Sequence, residues 1–166
     1  MATTCELWLP VRKAVYDRVG SYLRRNDEGV KMTTVEAEIG GASPCFIVRR
    51  VPETLAFYRD KLGFEITFEG PEPNDIFFGI VQRGRAMIMF KAVDIEPVPN
   101  HTRDIGHGNM RWDAYIYVPD PDALAAEFAS RDVEFLEPLK DTHDGLRGFD
   151  LKDTNGYVLF FGRPLL

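Results

Sequence analysis

The chain has 166 residues, of which 45% are hydrophobic, and a formal net charge of -6. This length allows one domain or two small repeats that share a core. The hydrophobic fraction is sufficient for folding without stabilising disulfide bonds or metal ions. The acidic balance argues against binding to a nucleic-acid backbone, and the longest apolar runs, such as MIMF at 87–90, are far too short to span a bilayer. We therefore expect a compact cytoplasmic protein that has neither a nucleic-acid nor a membrane partner.

The first part of the chain predicts an amphipathic helix followed by a linker. Apolar side chains recur at helical spacing through 10–25, and Pro10 suits a first helical position. The segment 26–44 is polar and has no clear period, which is typical of a linker. We expect 1–42 to form this helix and linker, with Met32 as an alternative start of the compact part, and 43–164 to form the main domain.

The main domain begins with a predicted β-α-β-β-β module at 43–92. CFIVRR at 45–50 is typical of a strand, and VPETLAFYRDKLGF at 51–64 has its apolar residues at helical spacing. Apolar or alternating runs then predict three more strands, at 64–69, 75–82 and 86–92.

A second predicted module covers 111–164. WDAYIYV at 112–118 is typical of a strand, and PDPDALAAEFASRD at 119–132 predicts a helix with Asp120 or Asp122 near its N-terminus. Three more strands are predicted at 133–138, 146–152 and 157–163.

The two modules repeat the same order of elements with an offset of about 70 residues, which indicates an internal duplication. The predicted class is α+β. Each module alone offers one small sheet covered by one helix, so the other sheet face must be buried against a partner or curve around a ligand.

The segments ETLAFYRDKLGFE, VPDPDALAAEFASRDVEF and FDLKDTNGYVLFF resemble the vicinal oxygen chelate superfamily, which includes glyoxalase I, extradiol dioxygenases and the bleomycin-resistance and fosfomycin-resistance proteins. The resemblance implies that the two tandem β-α-β-β-β modules form a half-open curved sheet around a cleft, commonly completed in a homodimer. The fold does not imply the chemistry, because this superfamily hosts several reactions.

Metal-dependent members hold a divalent cation with His, Gln or Glu side chains on four strands. The resemblance implies that these positions are Ser43, Asp113, Phe160 and one residue of 86–91 in this chain. Three of the four carry no suitable ligand, because the candidates at 86–91 are Met, Ile and Phe. We therefore expect no metal and no cofactor.

An alternative is a rearranged metal site built from Asp113 and the loop histidines His101, His107 and His143. It would make the protein a metal-dependent lyase, isomerase or dioxygenase of the same superfamily.

Aromatic and sulfur-containing side chains at the inward positions predict an apolar cleft for an organic molecule. Asp113 needs a partner inside this face, either an Arg or a ligand, and Arg147 is the candidate partner, with a surface Arg as the alternative. The proposed ligand-binding residues are Trp112, Asp113, Tyr115, Phe160, Met89 and Arg147. The alternative for the aromatic residues is that they only fill a core.

Three functions remain. The favoured hypothesis is a non-catalytic homodimeric protein of the bleomycin-resistance kind that sequesters a small, planar or cationic organic ligand, such as an antibiotic. The second is the metal-dependent enzyme. The third is a structural or regulatory module in which the helix at 10–25 docks on a partner.

Overall fold

The first module forms a four-stranded sheet with one helix. In the computed structural model, which describes residues 40–103 and 112–165, the elements in chain order are β1 (Cys45–Ile47), α1 (Val51–Asp60), β2 (Glu65–Glu72), β3 (Asp75–Arg83) and β4 (Ala86–Lys91). The strand order is β1-β4-β3-β2, with β1 parallel to β4 and the other neighbours antiparallel.

The second module repeats this arrangement after a short 3-10 turn (Asn100–Arg103). Its elements are β5 (Ala114–Tyr117), α2 (Pro121–Ser130), β6 (Phe135–Asp141), β7 (Leu146–Lys152) and β8 (Val158–Pro164). The strand order is β5-β8-β7-β6, again with one parallel pair, β5 and β8. The predicted α+β class and the tandem β-α-β-β-β modules are therefore confirmed.

The chain divides into two units, Met1–Ser43 and Pro44–Leu166, and the second contains both modules. The helix predicted at 10–25 and most of its linker lie outside the described residues, as does the loop 104–111. In the described ranges, neither helix is long and apolar enough to cross a membrane.

The two helices begin differently. Asp120 caps α2, because its carboxylate accepts a hydrogen bond from the backbone N–H of Ala123 at 3.0 Å, and Pro121 follows at the first helical position. Arg50 stands at the equivalent place before α1 and provides no side-chain cap. The second module therefore has the better-stabilised helix start.

The helices cover one face of each sheet. In the first module, α1 lies so close to β3 that a Cβ at Gly79 would meet Leu55 and Val51 at 2.9 Å. In the second module, the ring of Phe128 on α2 packs edge-on against Phe149 of β7 and Phe161 of β8. These contacts bury the helix-facing residues of both sheets in one hydrophobic core.

The core also joins the two modules. Phe46 of the first module stacks on Tyr157 of the second with ring centroids 4.3 Å apart. The hydroxyl of Tyr58, which is fully buried, donates a hydrogen bond to Asp153 at 3.2 Å. These contacts lie on the helix side, so they leave the opposite face of each sheet available for a site.

Candidate functional site

Phe160 is the central residue of the face opposite α2. It lies on β8 between Leu159 and Phe161, both of which belong to the helix-side core, whereas Phe160 does not. Successive side chains of a strand point to opposite faces, so the Phe160 ring points away from the helix. The ring is nevertheless only 2% exposed, which means that other groups cover it.

Two aromatic rings cover Phe160. Trp112 stacks on it with ring centroids 4.2 Å apart and an interplanar angle of 24°, and Tyr115 of β5 stacks at 5.2 Å and 29°. The Tyr115 side chain remains 43% exposed, and its hydroxyl donates to the carbonyl of Gly162 at 3.3 Å. The three residues form a layered cluster, here called the aromatic stack, whose outer surface reaches solvent.

Two glycines let the Phe160 ring lie flat on the sheet. Gly148 of β7 and Gly162 of β8 are paired neighbours in the sheet, and the ring extends over both. A Cβ at Gly162 would lie 2.6 Å from the ring, and one at Gly148 would clash with it as well. Any larger residue at either position would push Phe160 out of the stack.

Asp150 is a buried polar residue of this face and was not among the predicted site residues. It is paired with Phe160 across β7 and β8, so both side chains lie on the same face, and it is only 7% exposed. Trp112 is a hydrogen-bonding neighbour of the carboxyl group and acts to lower its pKa. The carboxylate oxygen Oδ1 has no partner; it is the one buried side-chain polar atom in this situation among the described residues.

The environment of Asp150 disfavours its charged form. Burial raises the pKa of its carboxyl group above the ordinary value, the Trp112 hydrogen bond opposes this rise, and the neighbouring charges of Glu137 and Lys140 act in opposite directions. Those two neighbours are paired with each other, since Lys140 Nζ lies 2.5 Å from a Glu137 carboxylate oxygen. Lys140 is therefore engaged elsewhere.

The Asp113 side chain is hydrogen-bonded to the backbone on both of its oxygens. Its Oδ1 accepts a hydrogen bond from the backbone N–H of Asn100 at 2.7 Å, and its Oδ2 accepts one from the backbone N–H of Val158 at 2.8 Å. An Arg or a ligand was the predicted partner of Asp113; two backbone N–H groups take that place. Asp113 fixes the start of β5 to β8 and to the preceding turn.

Arg147 lies on the helix side of its sheet, away from the aromatic stack. It lies on the same face of β7 as the core residues Phe149 and Leu151, two and four positions further along, and its guanidinium binds Asp122 of α2 and Asp141 of β6, both at 2.8 Å. These hydrogen bonds raise its pKa further above the ordinary range. The expected pairing of Arg147 with Asp113 is therefore wrong, because strand alternation directs the two side chains to opposite faces.

Met89 occupies the corresponding face of the first sheet. It alternates with the core residues Ile88 and Phe90 along β4, and its neighbours across the sheet are Cys45 and Ile80. The structure thus brings together Trp112, Tyr115 and Phe160 of the predicted site residues, and places Met89 on the other sheet.

A sequence profile of the Glyoxalase/Bleomycin resistance protein/Dioxygenase superfamily matches residues 31–161. The chain belongs to this superfamily. The match includes both modules, with their sheets and helices, and it agrees with the resemblance seen in the sequence. Among curated protein sequences, none matches this chain.

Several solved structures share the fold. The bleomycin-binding protein of the bleomycin-producing Streptomyces verticillus, solved with copper(II)-bleomycin, is 27% identical, with 76% of this chain and 97% of that one covered and a TM-score of 0.56. The bleomycin resistance determinant encoded on transposon Tn5 is 21% identical (76% and 98% covered, TM-score 0.58), and TioX from Micromonospora sp. ML1 is 17% identical (75% and 100% covered, TM-score 0.56). The likeness to the last two concerns the fold alone.

The side chains present do not suit the superfamily's metal. Phe160 has no donor atom, both Asp113 oxygens are hydrogen-bonded to backbone N–H groups, and Met89 and its neighbours on β4 offer at most a thioether. Within 40–103 and 112–165, no group of three or more His, Cys, Asp or Glu side chains could hold a metal ion.

The alternative metal site depends on the loop histidines. His143 is 98% exposed and lies beside Asp144, with 3.5 Å between the imidazole and the carboxylate. His107 and the side chain of His101 lie outside the described residues. Asp113, the remaining member of this set, has both oxygens hydrogen-bonded to backbone N–H groups.

Proposed function

We propose that this protein binds a small organic molecule against the aromatic stack, without a metal and without converting it, in the manner of an antibiotic-sequestering resistance protein. The observation that carries the proposal is the stack itself. Trp112, Tyr115 and Phe160 present layered aromatic surface on the sheet face opposite the helix, with its outer ring partly exposed. Flat aromatic surface of this kind favours planar organic ligands through burial and stacking.

The superfamily comparison supports the same ligand class. The Streptomyces verticillus protein, at 27% identity, is a bleomycin-binding protein solved with its ligand. Phe160 also stands where metal-dependent relatives are expected to carry a carboxylate that coordinates the metal. In this chain the position therefore provides an aromatic ring for the organic molecule and no metal-coordinating group. We take bleomycin as the first molecule to test.

We further propose that the protein acts in the cytoplasm as a homodimer in which a second copy closes the cleft. Tyr117 of β5, on the same face as the stack, is 63% exposed. Tyr115, beside it on the same face, is 43% exposed. Apolar faces of this kind are normally covered by a partner. Analytical ultracentrifugation tests the proposed dimer.

Isothermal titration calorimetry tests the binding proposal. Protein purified without added metal and dialysed against EDTA is titrated with metal-free bleomycin and with copper(II)-bleomycin. We expect saturable binding that EDTA does not weaken, with one ligand per cleft. Chromatography of the ligand after long incubation should recover it unchanged, because sequestration involves no turnover.

Two variants localise the site. Phe160→Ala should weaken binding at least tenfold, because it removes the centre of the stack. Arg147→Ala is the matched control on the opposite face and should bind as the wild type does. Consumption of the ligand, or binding that returns only after a metal is added, would contradict the proposal and favour the metal-dependent enzyme.

A further inference from the structure

The partnerless oxygen of Asp150 is a second feature of the aromatic face. Asp150 Oδ1 is buried and makes no hydrogen bond, and its residue lies on the middle of three paired strands, opposite Glu137 and Phe160. Buried carboxylate oxygens are normally hydrogen-bonded, and leaving one without a partner destabilises the folded protein. A fold keeps such an atom at a cost, which makes it a candidate for contact with a ligand.

Two cations of the described residues, Lys140 and Arg147, do not provide that contact. Lys140 influences the Asp150 carboxyl electrostatically, but its ammonium group binds Glu137 on the same strand. Arg147 is three positions away on β7 and on the other face, where Asp122 and Asp141 surround its guanidinium. Among the described residues, aromatic rings therefore cover Asp150 and no donor reaches its Oδ1.

Rings and carboxylate together fit a particular type of ligand. The faces of Trp and Phe rings attract cations, and a carboxylate accepts strong hydrogen bonds from charged N–H groups. An anionic ligand would meet a buried acidic group, and a neutral ligand would leave the partnerless oxygen unpaired or pair it only weakly.

We propose that Asp150, together with Trp112 and Phe160, forms a recognition site for an organic cation that carries N–H donors, such as a protonated amine or an amidinium group. This inference rests on the proposed binding function and specifies the chemistry of its ligand. Oδ1 has no accessible surface, so a neighbouring group must move before a ligand reaches it. Trp112 is the neighbour that is both hydrogen-bonded to Asp150 and partly exposed.

Three small probes separate charge from hydrogen bonding. Benzylamine at pH 7.5 has a ring, a positive charge and N–H donors; benzyltrimethylammonium keeps the ring and charge but has no N–H; benzyl alcohol has the ring without the charge. The chain contains two tryptophans, so a Trp8→Phe background leaves Trp112 as the only indole, and its emission reports binding directly.

We expect benzylamine to bind at least tenfold more tightly than benzyl alcohol, with benzyltrimethylammonium between them. Asp150→Asn should reduce benzylamine affinity to that of benzyl alcohol and leave benzyl alcohol unchanged. Glu137→Gln removes a charge close to Asp150 without removing the proposed contact, so this control should keep the preference for benzylamine.

Equal affinity of the wild type for benzylamine and benzyl alcohol would overturn the inference, and so would a preference that survives in Asp150→Asn. The comparison of the three probes on the wild type needs no variant and decides the question even if a variant folds poorly. If none of the probes changes Trp112 emission, the aromatic site itself is refuted and the proposed function fails with it.

Discussion

Two aspartates of the second module should respond to the same substitution in opposite directions. Asp150→Asn removes a buried carboxylate that has one oxygen without a partner. Asn keeps an acceptor for the Trp112 indole and removes the charge that burial disfavours. We expect Asp150→Asn to stabilise the protein by about 1 kcal/mol at pH 7, at the lower end of the 1–3 kcal/mol cost of an unpaired buried polar group, because the new NH2 group also lacks a partner.

The gain should depend on pH. The pKa of Asp150 is raised above its ordinary value of 3.8, so the folded protein binds this proton more tightly than the unfolded chain does. Wild-type stability therefore decreases as the pH rises from 3.8 through the raised folded-state pKa, whereas Asp150→Asn lacks this loss. The advantage of the variant should be largest at neutral pH and smallest below pH 3.8.

Asp113→Asn is the matched control. Both Asp113 oxygens accept backbone N–H groups, and an Asn side chain turns one of these acceptors into a donor that faces another donor. It should destabilise the protein by about 1–3 kcal/mol.

Urea denaturation followed by circular dichroism measures both changes in the free energy of unfolding. In thermal denaturation, the melting temperature should shift by roughly 2–4 °C per kcal/mol for a chain of this size. A loss of stability in Asp150→Asn at pH 7, or a gain that grows as the pH falls, would refute the reasoning. It would mean that Asp150 Oδ1 is satisfied in the folded protein.

Four further substitutions test other parts of the structure. Phe160→Ala should lower stability by about 3–5 kcal/mol, as for other large core rings, measured by urea denaturation. Arg147→Ala should cost about 1 kcal/mol or less, since its partners are exposed, and calorimetry should find ligand binding unchanged. Tyr58→Phe removes the hydroxyl that donates to Asp153 and should cost about 1–3 kcal/mol in the same urea assay. Glu127→Gln weakens the partly exposed ion pair between Glu127 of α2 and Arg83 of β3 and should lower stability at pH 7 by about 1 kcal/mol or less in the urea assay. The hydrogen bond from Arg83 is the main cause of the lowered pKa of Glu127. The stability difference between the wild type and Glu127→Gln should therefore disappear as the pH falls and the wild-type carboxylate is protonated.

The repeat and the alternation of the strands were sufficient to predict the fold. A β-α-β-β-β order read twice from apolar periodicity appears as two four-stranded sheets, each with one helix. The family resemblance assigned Phe160 to a ligand position of the cleft, and the alternation along β8 agrees, because its neighbours Leu159 and Phe161 are the core residues on the helix side. These features depend on local pattern, which a single sequence contains.

The face of Arg147 was also predictable but was misjudged. Its spacing of two and four positions from the core residues Phe149 and Leu151 directs it toward α2, whereas the prediction paired it with Asp113 on the opposite face. The role of Asp150 required one more step, which was the pairing of β7 with β8 across their connecting turn. That register places Asp150 beside Phe160 and could have been inferred from the hairpin.

The sequence by itself determined the two modules, their helices and the aromatic character of one sheet face, since each follows from the spacing of apolar residues along a short segment. Only the tertiary structure decided which acidic groups are satisfied. Asp113 is paired by the backbone of Asn100 and Val158, segments before and long after it in the chain, while one oxygen of Asp150 is buried without any donor. The partners of a polar atom depend on which distant segments reach it, and strand periodicity carries no information about that.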